Sequence, residues 1–228
     1  MTETQHPIAV ISVTLNAVAP MMLAFREAPT DIAWRIRHTL DEGLQATVTA
    51  RGGVDHHGLC RMIGLIERAV DDGAQAVLLT CTVFSPHLAT LQRLFPVPIV
   101  AADLAMLEAA AKLRRRTAIL CTFPASLATS EAMFRAAAAA LGLTADVEVA
   151  LVDGALAALS AGDRARHDDL VAAAARRLAA DFQVIVLAQM SMAAVAERLS
   201  DVPVPVLTSP ACAVAALRAA ITHRPTDA

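Results

Sequence analysis

The chain alternates short, continuous apolar runs with longer stretches in which apolar residues return every three or four positions. IAVISV is followed, beyond an unassigned stretch, by a helical pattern over Asp55 to Val70, then AVLLTC, a helix over Pro86 to Leu94, VPIVAA, and a helix from Leu104 to Leu113. The order recurs as TAILCT, a helix over Ser126 to Ala140, VEVALV, two helical pieces reaching Ala180, VIVLAQ, a helix from Met192 to Leu199, VPVLTS, and a last helix ending near Ile221. Runs of β-branched residues separated by helices mark strands covered on both faces, as in parallel sheets between helix layers. The fold class predicted is α/β.

A fixed offset runs through this alternation. Gln75 and Gln183 each precede a strand and stand 108 residues apart; Cys81 and Gln189 end those strands at the same separation. Pro98 and Pro205, of VPIV and VPVL, differ by 107, and Ala9 aligns with Thr117 at 108. Self-similarity of this kind predicts a duplicated unit: two pseudo-symmetric parallel-sheet lobes, the first from residues 1–103 plus 210–228 and the second from 104–209. Ligands of open α/β sheets bind beyond the carboxyl ends of the strands. The cleft between the lobes, where Cys81 and Gln189 would meet, is therefore the expected site.

Composition narrows the function. A chain of 228 residues with 56% hydrophobic content buries a sizeable core. Its net charge of -3, with Arg114-Arg115-Arg116 the one short basic run, builds no field for a polyanion, so nucleic acid is excluded as a partner. MTETQHP lacks the basic and apolar pattern of a secretory leader, and the uncharged window from Ala74 to Gln92 is broken by Thr80, Thr82, Ser85, Pro86 and His87, so no membrane partner is expected. Cys60, Cys81, Cys121 and Cys212 form no C-x-x-C pair. They read as free thiols in a reducing, cytoplasmic setting. Lys112 is the only lysine and stands in the basic end of a helix, KLRRR, which argues against a pyridoxal phosphate Schiff base. No Gly-rich dinucleotide or P-loop motif occurs, so no cofactor is expected. His56 and His57 are neighbours on a helix and point about 100° apart, and no other His or carboxylate pair has ligand spacing, so no metal is expected either.

Candidate chemistry centres on Cys81. A thiol where a strand gives way to a helix lies near unpaired backbone N–H groups, which lower its pKa from about 8.5 toward neutrality and make it a usable base or nucleophile. Thr80 and Thr82 flank it with hydroxyls. Cys60 and Cys212 lie in helical pattern and read as core residues. Thr122 and Ser126 follow TAILC ahead of a helix, where hydroxyls and helix-start N–H groups converge on an anion, or where Ser126 serves as an ordinary N-cap. Asn16, in TLNAVAP, reads as a turn former or a substrate contact. Asp103 reads as a helix cap or a substrate-facing carboxylate, and Asp41-Glu42 as a solvated loop. His87 could tune the Cys81 thiol or sit exposed in the first turn of the helix after it. Met190 and Met192 read as packing residues.

TCTVFSPH after the AVLLTC strand, CTFPAS after TAILCT, and LDEGL at 40–44 together resemble the aspartate/glutamate/hydantoin racemase superfamily, with arylmalonate decarboxylase and maleate isomerase. The resemblance implies a cofactor-free enzyme with two pseudo-symmetric α/β domains gripping a small carboxylate substrate. It places catalysis at Cys81 and at the position of Gln189, where relatives carry a second cysteine. Glutamine neither takes nor gives a proton at physiological pH, so a symmetric two-thiol mechanism is not expected. The resemblance implies substrate contacts at Asn16, Thr82, Thr122, Ser126 and Ser191, and a homodimer. The function expected is that of a racemase or isomerase acting at the carbon next to a carboxylate or carbonyl of a small acid, with a single thiol. Malonate-type decarboxylation and non-catalytic carboxylate binding are the alternatives.

Overall fold

The computed structural model describes residues 5–124 and 126–222. The outermost residues of the expected first lobe (1–4 and 223–228) and Ala125 of the CTFPAS turn lie outside the described residues. The chain divides into two compact units, one running to Asp103 and resuming at Ala213, the other Leu104–Cys212.

The first unit contains β1 (Gln5–Ser12), α1 (Val18–Glu27), β2 (Ala33–Leu40), α2 (Glu42–Ala50), α3 (His56–Asp71), β3 (Ala76–Leu79), α4 (Leu88–Leu94) and β4 (Ile99–Ala101). Its strands run parallel in the order β2-β1-β3-β4. All four residues of β3 are buried, which is why AVLL carries no polar alternation. Each fully buried aliphatic side chain there contributes about 1.5–3 kcal/mol of transfer free energy. At the sheet edge, β2 alternates instead: Trp34, Ile36 and His38 are half-buried, while Arg35, Arg37 and Thr39 are exposed.

The second unit follows the same plan with most of α5 (Ala102–Lys112), then β5 (Thr117–Cys121), α6 (Ser126–Ala140), β6 (Val147–Leu151), α7 (Ala155–Ser160), α8 (Arg164–Leu178), β7 (Val184–Leu187), β8 (Val206–Thr208) and the start of α9 (Ser209–Thr222), which from Ala213 onward belongs to the first unit. The strand order is β6-β5-β7-β8, again parallel. Both units belong to the α/β class. One apolar layer packs Val171, Ala175 and Leu178 of α8 against Leu120 and Ile185; another packs Met106 and Ala110 of α5 and Phe134 of α6 against Ile119 and Val186. Among the described residues, no helix is long and apolar enough to cross a membrane.

The two units repeat each other hydrogen bond by hydrogen bond. Gln75 N donates to Pro7 O at 2.8 Å and Gln183 N to Arg116 O at 2.9 Å; Thr80 N donates to Ile11 O at 3.1 Å and Ala188 N to Leu120 O at 3.0 Å. Val77 N reaches Pro98 O and Ile185 N reaches Pro205 O, both at 2.9 Å. The offset is 108 for β3 against β7, as read from the sequence, but the first strands differ by one residue. Ile8 pairs with Ala76, and Thr117 pairs with Val184, so Ile8, not Ala9, corresponds to Thr117. A one-residue shift reverses every side chain's face, and this correction decides which residues correspond at the strand ends.

Three further expectations change. The unassigned residues between β1 and α3 form α1, β2 and α2. Asp41 is no free loop residue: its carboxylate accepts from Leu44 N at 3.1 Å, capping α2, and pairs with Arg61 of α3 at 2.6 Å. The helices expected over Met192 to Leu199 and Pro86 to Leu94 are, respectively, part of a 3-10 coil over Met190–Leu199 and a 3-10 turn over Thr82–His87 followed by α4.

Candidate active site

The Cys81 turn is built by packing. β3 ends at Leu79, and Cys81 continues extended (φ -107°, ψ 115°) before the 3-10 turn closes with Phe84 N on Cys81 O at 3.2 Å. Phe84 is fully buried and anchors the turn from below. Ser85 is buried too, and its hydroxyl donates to Asp103 Oδ1 at 2.6 Å, tying the turn to the start of α5. The Cys81 thiol is half-buried and reaches Gln45 Oε1 of α2 at 3.8 Å.

This setting reverses the expected electrostatics. Burial pushes the Cys81 thiol up to about 12; the Val83 N–H pulls it down by less, and the Asp103 carboxylate adds to the rise. The helix expected to stabilise a thiolate begins only at Leu88, so its N-terminal N–H groups are too far along the chain to help. In the free protein Cys81 is a thiol.

Beside this turn runs a buried polar chain. Ser12 Oγ lies 2.8 Å from Thr80 Oγ1 and 2.8 Å from His38 Nε2. Burial pushes the His38 imidazole's pKa down.

Three cysteine readings are now settled by burial. Cys121 is buried, with its thiol 3.7 Å from Ser130 Oγ, and Cys212 is half-buried against the same layer with its thiol pushed up to about 11 by desolvation. Cys60 is exposed, contrary to the core position expected of it. The buried face of α3 is Gly58, Met62, Leu65 and Ile66, and Cys60 falls outside that stripe, 3.6 Å from His56 Nε2.

The second unit places Gln189 where the first has Cys81, in the same extended conformation (φ -119°, ψ 147°). Its amide is fully engaged. Gln189 Oε1 accepts from Thr122 N and from Thr122 Oγ1, both at 2.7 Å, and Nε2 donates to Ser126 Oγ at 3.2 Å. Ser126 Oγ in turn donates to Phe123 O at 2.7 Å. Thr122, Ser126 and Gln189 thus form one cluster. Of the other expected contacts, Asn16 is exposed in a 3-10 turn after β1, Thr82 is half-buried beside Cys81, and Ser191 offers its carbonyl to Arg164 at 3.1 Å.

Correspondence between the units sets apart a polar group of which sequence reading singles out Thr80 and Asp103 but misses Ser12, His38 and the role of Ser85. Ser12, His38, Thr80, Ser85 and Asp103 answer to Cys121, Val149, Ala188, Ala193 and Pro210. The same backbone forms without any of these five polar groups, so the fold does not require them. Setting the two halves side by side at the register of the paired strands exposes that contrast.

Residues 25–217 match the family described as Asp/Glu/hydantoin racemase. The chain belongs to that family. An allantoin racemase from Klebsiella pneumoniae is similar in structure, with a TM-score of 0.72 at 19% identity over 95% of this chain and 88% of that one. The Picrophilus torridus aspartate racemase gives 0.71 at 12% identity over 94% of both chains, and an arylmalonate decarboxylase 0.62 at 17% over 96% of both. These likenesses are of fold. Comparison with curated proteins gives no match. Within this racemase family, then, the chain carries one thiol at a strand-end turn and an amide at the corresponding turn.

Proposed function

We propose that this racemase-family chain is a cofactor-independent enzyme that protonates the carbon next to a carboxylate of a small acid, with Cys81 as the proton donor. The observation that carries the reading is the place of Cys81, half-buried at the strand-end turn 3.8 Å from Gln45 Oε1, where burial and, less so, the Asp103 carboxylate favour the thiol. A buried thiol of this kind is a poor base but remains a competent acid toward a carbanion, which is far more basic. Decarboxylation supplies such a carbanion: carbon dioxide leaves, its bonding pair stays on carbon as an enediolate, and the S–H proton moves to that carbon. The thiolate left behind regains a proton from water.

Racemisation, the second reading, rests on the family match. It requires Cys81 to remove a proton first, from a state rare in the free protein. Within the second unit, the Thr122 N–H and hydroxyl, converging on one acceptor, are proposed as donors for a carboxylate. Lys112, the sole lysine, is exposed at the end of α5, which supports chemistry without a Schiff base.

A panel of small malonic, amino and hydroxy acids, followed for carbon dioxide and for optical rotation, tests the proposal. Carbon dioxide release from a malonic acid is the result expected. Loss of rotation without carbon dioxide would move the assignment to racemisation, and no turnover by any acid would leave a binding protein.

A further inference from the structure

Resting on that reading, we infer that Gln189 is an internal occupant of the carboxylate site, a carboxamide that must leave the Thr122 donors before a substrate carboxylate can bind. A carboxamide has the shape of a carboxylate. Its oxygen here takes a backbone N–H and a hydroxyl together, both at 2.7 Å; the N–H contact is shorter than the common N–H···O distance of about 2.9 Å, and the hydroxyl contact is of ordinary length. Its nitrogen holds Ser126 Oγ, whose own proton goes to Phe123 O. All three donors of the turn are therefore satisfied within the chain.

Thr122 is only 4% exposed, so its N–H would be left without water or a partner if the site stood empty. Gln189 meets that need in the free protein, and a charged carboxylate, the stronger acceptor, can replace it. The position is the one at which the first unit carries Cys81, so the exchange of thiol for amide does two things. It removes a proton carrier, and it sets the affinity of the turn. Apparent affinity for an acid falls by the fraction of molecules in which the amide has swung out.

Malonate, titrated calorimetrically into the full chain, is the probe. Gln189→Ala is expected to bind it about tenfold more tightly than the parent, because the competing state is gone. Gln189→Met, which keeps the bulk without hydrogen bonding, should gain similarly and guards against a packing defect in the alanine variant. Gln189→Glu should weaken binding, and Thr122→Val should abolish the gain. Unchanged or weaker binding by both Gln189→Ala and Gln189→Met, with Thr122→Val still harmful, would overturn the internal-occupant inference and leave the carboxylate site standing. Binding indifferent to Thr122→Val, or absent in every variant, would overturn the site itself and the inference with it.

Discussion

Replacing Cys81 with alanine lowers turnover by at least about 10²-fold, and by as much as about 10⁴-fold, the range for loss of one acid-base group. The fold survives. The turn is held by Phe84 and by Ser85 on Asp103, and the Cys81 thiol adds a long contact to Gln45 at 3.8 Å and one with the Val83 N–H. Turnover of whichever acid the panel identifies, measured beside the thermal melting curve, separates chemistry from stability. Cys81→Ser keeps the shape but offers a weaker acid, and it too should be slow. An alanine variant that keeps more than about a tenth of the activity would return Cys81 to a packing role, since no acid-base residue costs so little.

In heavy water, a single product enantiomer carrying one deuteron at the α-carbon is the second large effect expected. A single donor delivers its proton from one side only, and no second thiol occupies the Gln189 turn. The Gln189 amide is committed to Thr122 and Ser126 and carries no acidic proton. An enantiomer ratio of about 10² corresponds to about 2.7 kcal/mol between the two protonation transition states, within reach of one fixed donor. Proton and deuterium NMR on the product reads both quantities. Racemic product, or exchange of the α-hydrogen of a recovered substrate at both faces, would require a second proton carrier.

Much of the fold is legible in sequence because buried parallel strands announce themselves. AVLL and VIVL carry no polar residue since both faces are covered, and the 108-residue offset follows from duplicated strand ends. β2 escapes because an edge strand alternates, and Arg35, Arg37 and His38 hide it from a search for apolar runs. Cys60 was within reach of helical periodicity, two positions from Met62 and so on the far side of α3. The chemistry of the strand-end turns was less accessible. Position alone suggests a thiolate at Cys81, but the burial and the Asp103 charge that decide its proton come from a residue 22 positions away. Likewise Gln189 meets Thr122 across 67 positions, and nothing local to either foretells two 2.7 Å bonds.

The pH dependence of Cys81 alkylation tests the central claim without any substrate. A thiol with a pKa of about 12 is ionised at about pH 7.5 some 10³-fold less than a free cysteine, and the greater nucleophilicity of its thiolate recovers only part of that. Net alkylation by iodoacetamide should be about 10²-fold slower than that of free cysteine even before access is counted. The sign follows from the raised pKa: the thiol form persists through neutral and mildly alkaline pH, and the rate climbs about tenfold per pH unit without levelling. Mass spectrometry of the labelled peptides should find exposed Cys60 modified first and Cys81 last or nearly so. A Cys81 rate that levels off near neutral pH, or labelling of Cys81 ahead of Cys60, would mean that it is a thiolate in the folded protein and would contradict the proton-donor account.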